Sequence, residues 1–119
     1  MKRLMILTAL LLAACGASEP TVTASMKASM EAYADQVDGW YPNIDQNVAR
    51  ECAENPTFLY WSDELRAYAV TCPLSLNENS YGIVTLDEHE EVLNAFSIGA
   101  ASQGEVTRTL ALLGWELVR

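Results

Sequence analysis

The fold is decided by residues 52–72, which read CAENPTFLYWSDELRAYAVTC. Within this stretch the apolar pattern changes from a helical period to a strand period. Asn55-Pro56 ends a helix, because the residue before a proline avoids the helical backbone region. Residues 57–62 are β-branched and aromatic, which predicts a strand, and the alternating residues 65–72 predict its hairpin partner across Asp63-Glu64. The stretch therefore predicts a helix that leads directly into a β-hairpin.

Two helices are predicted on the N-terminal side of this hairpin. The first begins near Thr23 or Ala24 and ends at Gly39, and residues 40–42, Trp-Tyr-Pro, then turn the chain. The second follows Asn43, which with Gln46 three residues later gives a capping pattern. Apolar residues at helical spacing mark the buried stripes, Met26, Met30, Tyr33 and Val37 in the first helix and Ile44, Val48 and Cys52 in the second.

Two more strands are predicted on the C-terminal side of the hairpin. Residues 73–80 are polar and predict a loop. Residues 81–86 and 92–98 have strand-like composition, and the acidic run 87–91 separates them. These segments predict a second hairpin and a sheet of at least four strands.

A last helix and a closing strand are predicted at the C-terminal end of the sequence. Ser102 and Glu105 form a capping box that opens the helix, and Gly114 is its expected stop. Its predicted buried stripe is Val106, Leu110 and Leu113. Residues 115–118 alternate and predict a short strand. The fold class is therefore α+β, with two N-terminal helices, an antiparallel sheet of four to five strands and one helix before the last strand.

The overall composition bounds the size of the fold and its partners. The chain has 119 residues, half of them hydrophobic, with a formal charge of −9. That length supports one small folded domain. The acidic excess argues against nucleic acid as a partner, because phosphate binding needs clustered Lys and Arg.

The apolar residues are concentrated at the N-terminus. Lys2 and Arg3 precede an apolar run over residues 4–12, the pattern of a secretion signal, and the run is too short for a permanent membrane span. Residues 12–16, Leu-Ala-Ala-Cys-Gly, resemble the lipobox of bacterial lipoproteins. The resemblance covers residues 1–16. The alternative is an ordinary signal peptide with a coincidental cysteine, or cleavage at a nearby small residue.

The lipoprotein resemblance implies a lipid anchor at Cys15. In that family a diacylglycerol is attached to the cysteine sulfur, the signal is cut before it, and the new amino group is usually acylated with a chain such as palmitate. Several acyl chains give stable attachment to the lipid bilayer. Gly16 stands where an Asp would retain an enterobacterial lipoprotein in the inner membrane. The resemblance thus favours the outer membrane, facing the periplasm, where the host has one.

Cleavage at the lipobox divides the chain into three parts. They are the signal peptide 1–14, the lipidated cysteine with a short tether 15–23, and a single domain 24–119. Because the signal carries Lys2 and Arg3, the remaining 105 residues have a formal charge of −11. In an oxidising compartment the even pair Cys52 and Cys72 predicts a disulfide, whereas in a reducing one both thiols stay free.

Catalytic and metal-binding patterns are weak in this sequence. His89 lies among four carboxylates in residues 87–91, but consecutive side chains of a turn or strand point in different directions and do not converge on one ion. The sequence has no Gly-x-Ser-x-Gly nucleophile motif and no phosphate-binding glycine loop. We therefore expect no metal, no cofactor and no enzymatic activity.

Two aromatic pairs, Trp40-Tyr41 and Tyr60-Trp61, are the candidate binding surface. Neighbours in a strand face opposite sides of the sheet, so Tyr60 and Trp61 cannot enter the same core. Either one of them is exposed and available to a partner, or helices and loops cover both faces. An exposed aromatic side chain beside acidic groups is typical of a protein-binding surface.

These features predict a lipid-anchored, non-catalytic module of the bacterial cell envelope that binds or helps assemble an envelope protein. One alternative is an acidic inhibitor or immunity-type lipoprotein that captures a basic enzyme such as lysozyme through its charge. The sequence lacks the Ser-Gly-x-x-Tyr loop of known periplasmic lysozyme inhibitors, and its nearest stretch is Asn-Ser-Tyr-Gly at 79–82. The other alternative is a small envelope enzyme that uses two carboxylates.

Overall fold

The computed structural model of the chain describes residues 22–36, 44–75 and 78–118. These residues form three helices and one five-stranded sheet, which confirms the predicted α+β class. In chain order the elements are α1 (Ala24–Asp35), α2 (Ile44–Glu54), β1 (Phe58–Ser62), β2 (Ala67–Pro73), β3 (Ser80–Asp87), β4 (Val92–Gly99), α3 (Gln103–Leu112) and β5 (Glu116–Leu117). In the described part of the chain, no helix is long and apolar enough to cross a bilayer.

Several sequence predictions fall outside the described residues. The signal peptide, the lipobox with Cys15 and most of the tether lie in residues 1–21. Residues 37–43 hold the predicted helix stop Gly39, the Trp40-Tyr41 pair and the capping residue Asn43. The predicted end at Gly39 is wrong, because α1 ends at Asp35 and Gln36 is its C-cap.

The sheet is an antiparallel meander closed by one non-sequential strand. Its order is β4-β3-β2-β1-β5, so four strands lie in chain order and β5 returns to pair with β1. The register places Leu59 opposite Val70 and Tyr60 opposite Ala69. Because side chains alternate between the two faces, these two rows of residues point to opposite sides of the sheet.

Helices α1 and α2 pack on one face, which we call the α1–α2 face. Arg50 of α2 donates to the Ala34 carbonyl at 3.3 Å and to Asp35 Oδ1 at 3.0 Å, which holds the two helices together. Apart from the cystine, the buried side chains on this face are apolar: Met26, Met30, Ala34, Val48, Ala49, Ala53, Leu59, Val70, Val84, Leu86 and Ala95.

Helix α3 packs on the opposite face, which we call the α3 face. Val106 and Leu110 point from the helix into the core, as the spacing predicts. Trp115 follows the helix and is 8 % exposed. The buried residues here are Tyr60, Ala67, Ala69, Ile83, Ala100, Val106, Leu110 and Trp115.

A disulfide joins α2 to β2 on the α1–α2 face. Cys52 and Cys72 are both fully buried, and their sulfurs are bonded, which confirms the predicted pair. Next to this bond α2 lies very close to β3 at Gly82. A Cβ at residue 82 would stand 2.8 Å from Val48 Cγ1 and 3.0 Å from Cys52 Sγ, so this position has no space for a side chain.

The start of β2 and the buried stripe of α3 differ from the sequence prediction. Strand β2 begins at Ala67 rather than Leu65, because the turn takes four residues and Arg66 has a left-handed backbone with φ 53°. Leu113 was predicted to be buried and is 66 % exposed, because α3 ends at Leu112. Gly114, with φ 95°, then turns the chain so that Trp115 enters the core instead.

The starts of α1 and α3 are capped by hydroxyl side chains. Thr23 Oγ1 accepts from the Met26 amide at 3.0 Å, and Ser102 Oγ accepts from the Glu105 amide at 3.2 Å. Glu105 Oε1 in turn accepts from the Ala101 amide at 2.6 Å, one residue earlier than in the usual capping box.

Candidate functional site

Three side chains at the end of the β1–β2 hairpin form the candidate site, which we call the aromatic patch: Trp61, Tyr68 and Arg66. Trp61 and Tyr68 are cross-strand neighbours whose ring centroids lie 4.7 Å apart with planes tilted by 56°. The Arg66 guanidinium carbon lies 5.2 Å from the Trp61 ring centroid, within range of a cation–π interaction. Both rings are partly exposed.

Arg66 links two neighbouring turns beside the patch. Its guanidinium lies 3.4 Å from Asp63 Oδ1 in its own turn and 3.2 Å from Glu88 Oε1 in the β3–β4 turn. All three side chains are well exposed to solvent, so each pair contributes little to stability. In this structure they place the guanidinium between the two turns and beside Trp61.

The acidic run 87–91 forms the β3–β4 turn, as predicted. Asp87 Oδ1 accepts from the amides of His89 at 2.8 Å and Glu91 at 3.0 Å, so this carboxylate is bound to its own backbone. Glu90 adopts φ 68°, a conformation that glycine or asparagine fits better. Among the described residues, no group of three or more His, Cys, Asp and Glu side chains is arranged to hold a metal ion.

The start of α1 lies against this same turn. Thr23 Oγ1 donates to Glu90 Oε1 at 2.7 Å. Since Glu88 in the turn also contacts Arg66, the start of α1 lies at the end of the sheet that carries the aromatic patch.

The predicted aromatic residues lie in three different places. Trp61 is in the patch on the α1–α2 side of the sheet. Tyr60 is fully buried on the α3 face, so it is a core residue and cannot contribute to an exposed surface. Trp40 and Tyr41 lie outside the described residues. The structure thus leaves Trp61 as the accessible member of the Tyr60-Trp61 pair and adds Tyr68 and Arg66, which the sequence did not single out.

A partly buried polar network lies between α3 and the sheet. Gln103 Nε2 donates to Tyr60 Oη at 3.0 Å and to Thr71 Oγ1 at 3.1 Å. Gln103 Oε1 accepts from Thr57 Oγ1 at 3.1 Å, and Tyr60 Oη lies 2.7 Å from Thr107 Oγ1. The network contains hydroxyls and one amide but no ionisable acid or base near neutral pH, so it is suited to joining α3 to the sheet rather than to proton transfer.

The comparisons with known proteins give no relative on which to base a function. No family model, no curated protein and no solved structure matches this chain significantly. The geometry of the described residues is therefore the basis for the function proposed next.

Proposed function

We propose that this chain is a lipid-anchored lipoprotein of the bacterial cell envelope that binds an envelope protein through the aromatic patch and carries out no catalysis. The anchor is the acylated Cys15, and the domain lies at the outer membrane facing the periplasm. The observation that carries the binding function is the partly exposed Trp61–Tyr68 pair with Arg66 above it.

The chemistry of the patch suits a protein partner. Trp, Tyr and Arg are the residues that most often dominate binding energy at protein interfaces. Here all three are adjacent, and the Arg66 guanidinium lies beside the Trp61 ring. The Trp61 and Tyr68 rings are already packed against each other, and side chains that need little reordering on association favour affinity.

The entry point of the chain supports a surface that works close to the membrane. Thr23 follows Cys15 by eight residues, which span at most about 29 Å when fully extended. Because Thr23 contacts Glu90 and the neighbouring Glu88 contacts Arg66, the patch is at the tethered end of the domain. We therefore expect a partner that is itself at or in the membrane.

The anchor is tested by labelling cells with radioactive palmitate. We expect the unaltered chain to incorporate label and to sediment with membranes, and Cys15→Ser to lose both properties. Cys52→Ser with Cys72→Ser is the matched control, because it removes two cysteines and leaves the lipobox intact. Palmitate label that persists in Cys15→Ser would contradict the proposal that Cys15 carries the lipid anchor.

The patch is tested with a photo-crosslinking amino acid placed at Leu65, beside Arg66, in intact cells. Leu65 is 61 % exposed and Leu112, the control position on α3, is 88 % exposed. We expect one discrete crosslinked protein from position 65, and its loss when Trp61→Ala is added. Phe58→Ala changes the same strand on its other face and should leave the crosslink in place. Equal crosslinking from positions 65 and 112 would contradict the proposal that the aromatic patch is the binding surface.

Capture of a basic enzyme is the second candidate function. Carboxylates surround the patch, since Asp63 and Glu88 flank Arg66 and the exposed Glu116 is opposite Trp61 in the sheet. Electrostatic capture of a cationic partner weakens steeply with salt. Affinity for the crosslinked partner that falls by about tenfold or more as salt rises from low to physiological values would favour this candidate over the assembly module.

A further inference from the structure

Two adjacent leucines form an exposed apolar corner where α3 ends, which we call the leucine corner: Leu112 and Leu113. They are 88 % and 66 % exposed, the highest values among the exposed large apolar side chains of the described residues. The turn that follows keeps both outside the core, because Gly114 has φ 95° and Trp115 enters the core instead. Single exposed leucines are ordinary on protein surfaces, whereas an adjacent pair at a helix end gives a protruding apolar wedge.

The leucine corner lies at the tethered end of the sheet. Leu113 is three residues before Glu116, which pairs with Trp61 at the end of β1 that carries the aromatic patch. Thr23, at the start of α1, lies at this same end, because it contacts Glu90 in the β3–β4 turn. Since α3 packs on the α3 face and Trp61 lies on the α1–α2 side, the corner and the patch are on opposite faces of one end.

The segment of α3 that leads into the corner carries no carboxylate, although the chain as a whole is strongly acidic. Residues 106–115 contain one charged side chain, Arg108, about one helical turn before the corner. Glu105 is in the first turn, at the opposite end of α3. Glu116 is the cross-strand neighbour of Trp61 and so points to the α1–α2 side. The corner is therefore an apolar surface with one nearby cation on an acidic domain.

We propose that the leucine corner inserts into the surface of the lipid bilayer and holds the tethered end of the domain against the membrane. This inference rests on the proposed lipid anchor at Cys15. Apolar side chains beside a basic one are typical of segments that lie in a membrane interface. The leucines enter the acyl region while Arg108 extends to the headgroup phosphates, as long basic side chains do at such boundaries. A bilayer accepts a two-residue wedge without the shape complementarity that a protein interface requires.

The length of the tether makes this small contact sufficient. The eight residues from Cys15 to Thr23 span at most about 29 Å, whereas a five-stranded sheet is about 19 Å across. The whole tethered end of the sheet is therefore within reach of the bilayer. The anchor also makes docking an intramolecular step with a high effective concentration, so that two leucines can orient a domain that they would not recruit from solution.

The test places a nitrobenzoxadiazole fluorophore at residue 112 of the full acylated chain on phosphatidylcholine vesicles. Leu112→Cys supplies the one free thiol, since Cys15 is acylated and Cys52 and Cys72 form a disulfide. We expect the emission to rise by about twofold or more on vesicles, and lipids with a nitroxide on the acyl chain to quench it. Ser97→Cys is the matched control, because Ser97 is exposed towards the opposite end of the sheet and its label should stay in water.

A charge substitution separates the corner from the rest of the tethered end. Leu113→Glu in the chain labelled at residue 112 should abolish the rise in emission. Leu93→Glu should leave it in place, because Leu93 is a similarly exposed leucine, at 58 %, but lies in β4 at the other edge of the sheet from β5. Both leucines are well exposed, so neither change should alter the thermal unfolding midpoint.

The contrary results are distinguishable from one another. A chain that sediments with the vesicles while its label at residue 112 stays in water would overturn the docking and leave the anchor intact. A chain that does not sediment with the vesicles would overturn the anchor and, with it, this inference. A label that leaves water but is not quenched by the nitroxide lipids would show that a protein covers the corner, and would overturn the proposal. Loss of the rise in both glutamate variants would overturn the assignment to the corner.

Discussion

The two faces of the sheet are held to their helices by different means. On the α1–α2 face a disulfide and a wholly apolar core attach two helices. On the α3 face one helix in the described part of the chain is attached by a few apolar side chains and by the hydrogen bonds of Gln103, Tyr60 and Thr107. Attachment on the α1–α2 face depends on a covalent bond and on buried apolar area. Attachment on the α3 face also depends on the geometry of hydrogen bonds. The two faces should therefore respond differently to substitution.

The largest effect is expected from removing the disulfide on the α1–α2 face. Cys52→Ala with Cys72→Ala opens a link between residues 20 apart in sequence, and the chain-entropy model gives a loss of about 3 kcal/mol in the free energy of unfolding. Urea unfolding of the double variant measures this loss. Cys15→Ala is the control and should leave the free energy of unfolding unchanged. A loss below about 1 kcal/mol would show that the apolar core alone holds this face.

The next effect is expected from Val106→Ala on the α3 face. Val106 is fully buried, and removing two methyl groups costs about 2 kcal/mol through lost burial and the cavity left behind. Leu112→Ala in the same helix is the control, because Leu112 is 88 % exposed and its truncation should cost less than about 0.5 kcal/mol. Urea unfolding measures both variants. Similar losses in the free energy of unfolding would contradict the packing of α3 on the sheet through Val106.

A smaller effect is expected from Tyr60→Phe, which leaves the ring in place and removes one member of the polar network. Gln103 and Thr107 then each lose a buried partner, at a cost of about 1 to 2 kcal/mol. A double-mutant cycle with Thr107→Val should show positive coupling between the two sites. Tyr81→Phe on the same face is the control, and a loss as large as that of Tyr60→Phe would mean that the network contributes nothing specific.

The smallest effects are expected at the helix caps, one on each face. Ser102→Ala and Thr23→Ala each remove a hydroxyl that accepts from a helix amide, at a cost of about 1 kcal/mol. Amide hydrogen exchange should distinguish the effects of the two cap substitutions. We expect Ser102→Ala to increase exchange in α3 while α1 and α2 stay protected, because the disulfide holds α2 to the sheet. Equal increases on both faces would contradict the independence of the two faces.

The sequence predicts the parts of this fold that depend on local signals. The end of α2 at Asn55-Pro56, the capping box at Ser102 and the strand pattern of residues 57–62 are each contained within a few residues, and all are confirmed. The Cys52–Cys72 pair is confirmed as well, although it was predicted from compartment chemistry rather than from spacing.

The sequence does not predict the contacts between distant segments. Gln103 reaches Thr71 and Tyr60, which are 32 and 43 residues away, and no sequence motif connects these three residues. The prediction that Leu113 is buried was wrong, because the apolar periodicity of α3 continues past the residue at which the helix ends. Within the candidate site, the sequence predicts Trp61 only as one of two adjacent aromatic residues, and Arg66 is recognised only from the turn that brings it over the ring.

The return of β5 to pair with β1 has a consequence for the order in which the chain folds. The first four strands are joined by short connections, so each hairpin can close soon after its residues are synthesised. Trp61 and Glu116, which pair in the last step, are 55 residues apart, and closing that loop costs more entropy. The face that holds Tyr60 therefore stays open until the C-terminal residues arrive. Trp115, which lies between α3 and β5, then enters the core on that face, so the α3 face is expected to be completed last.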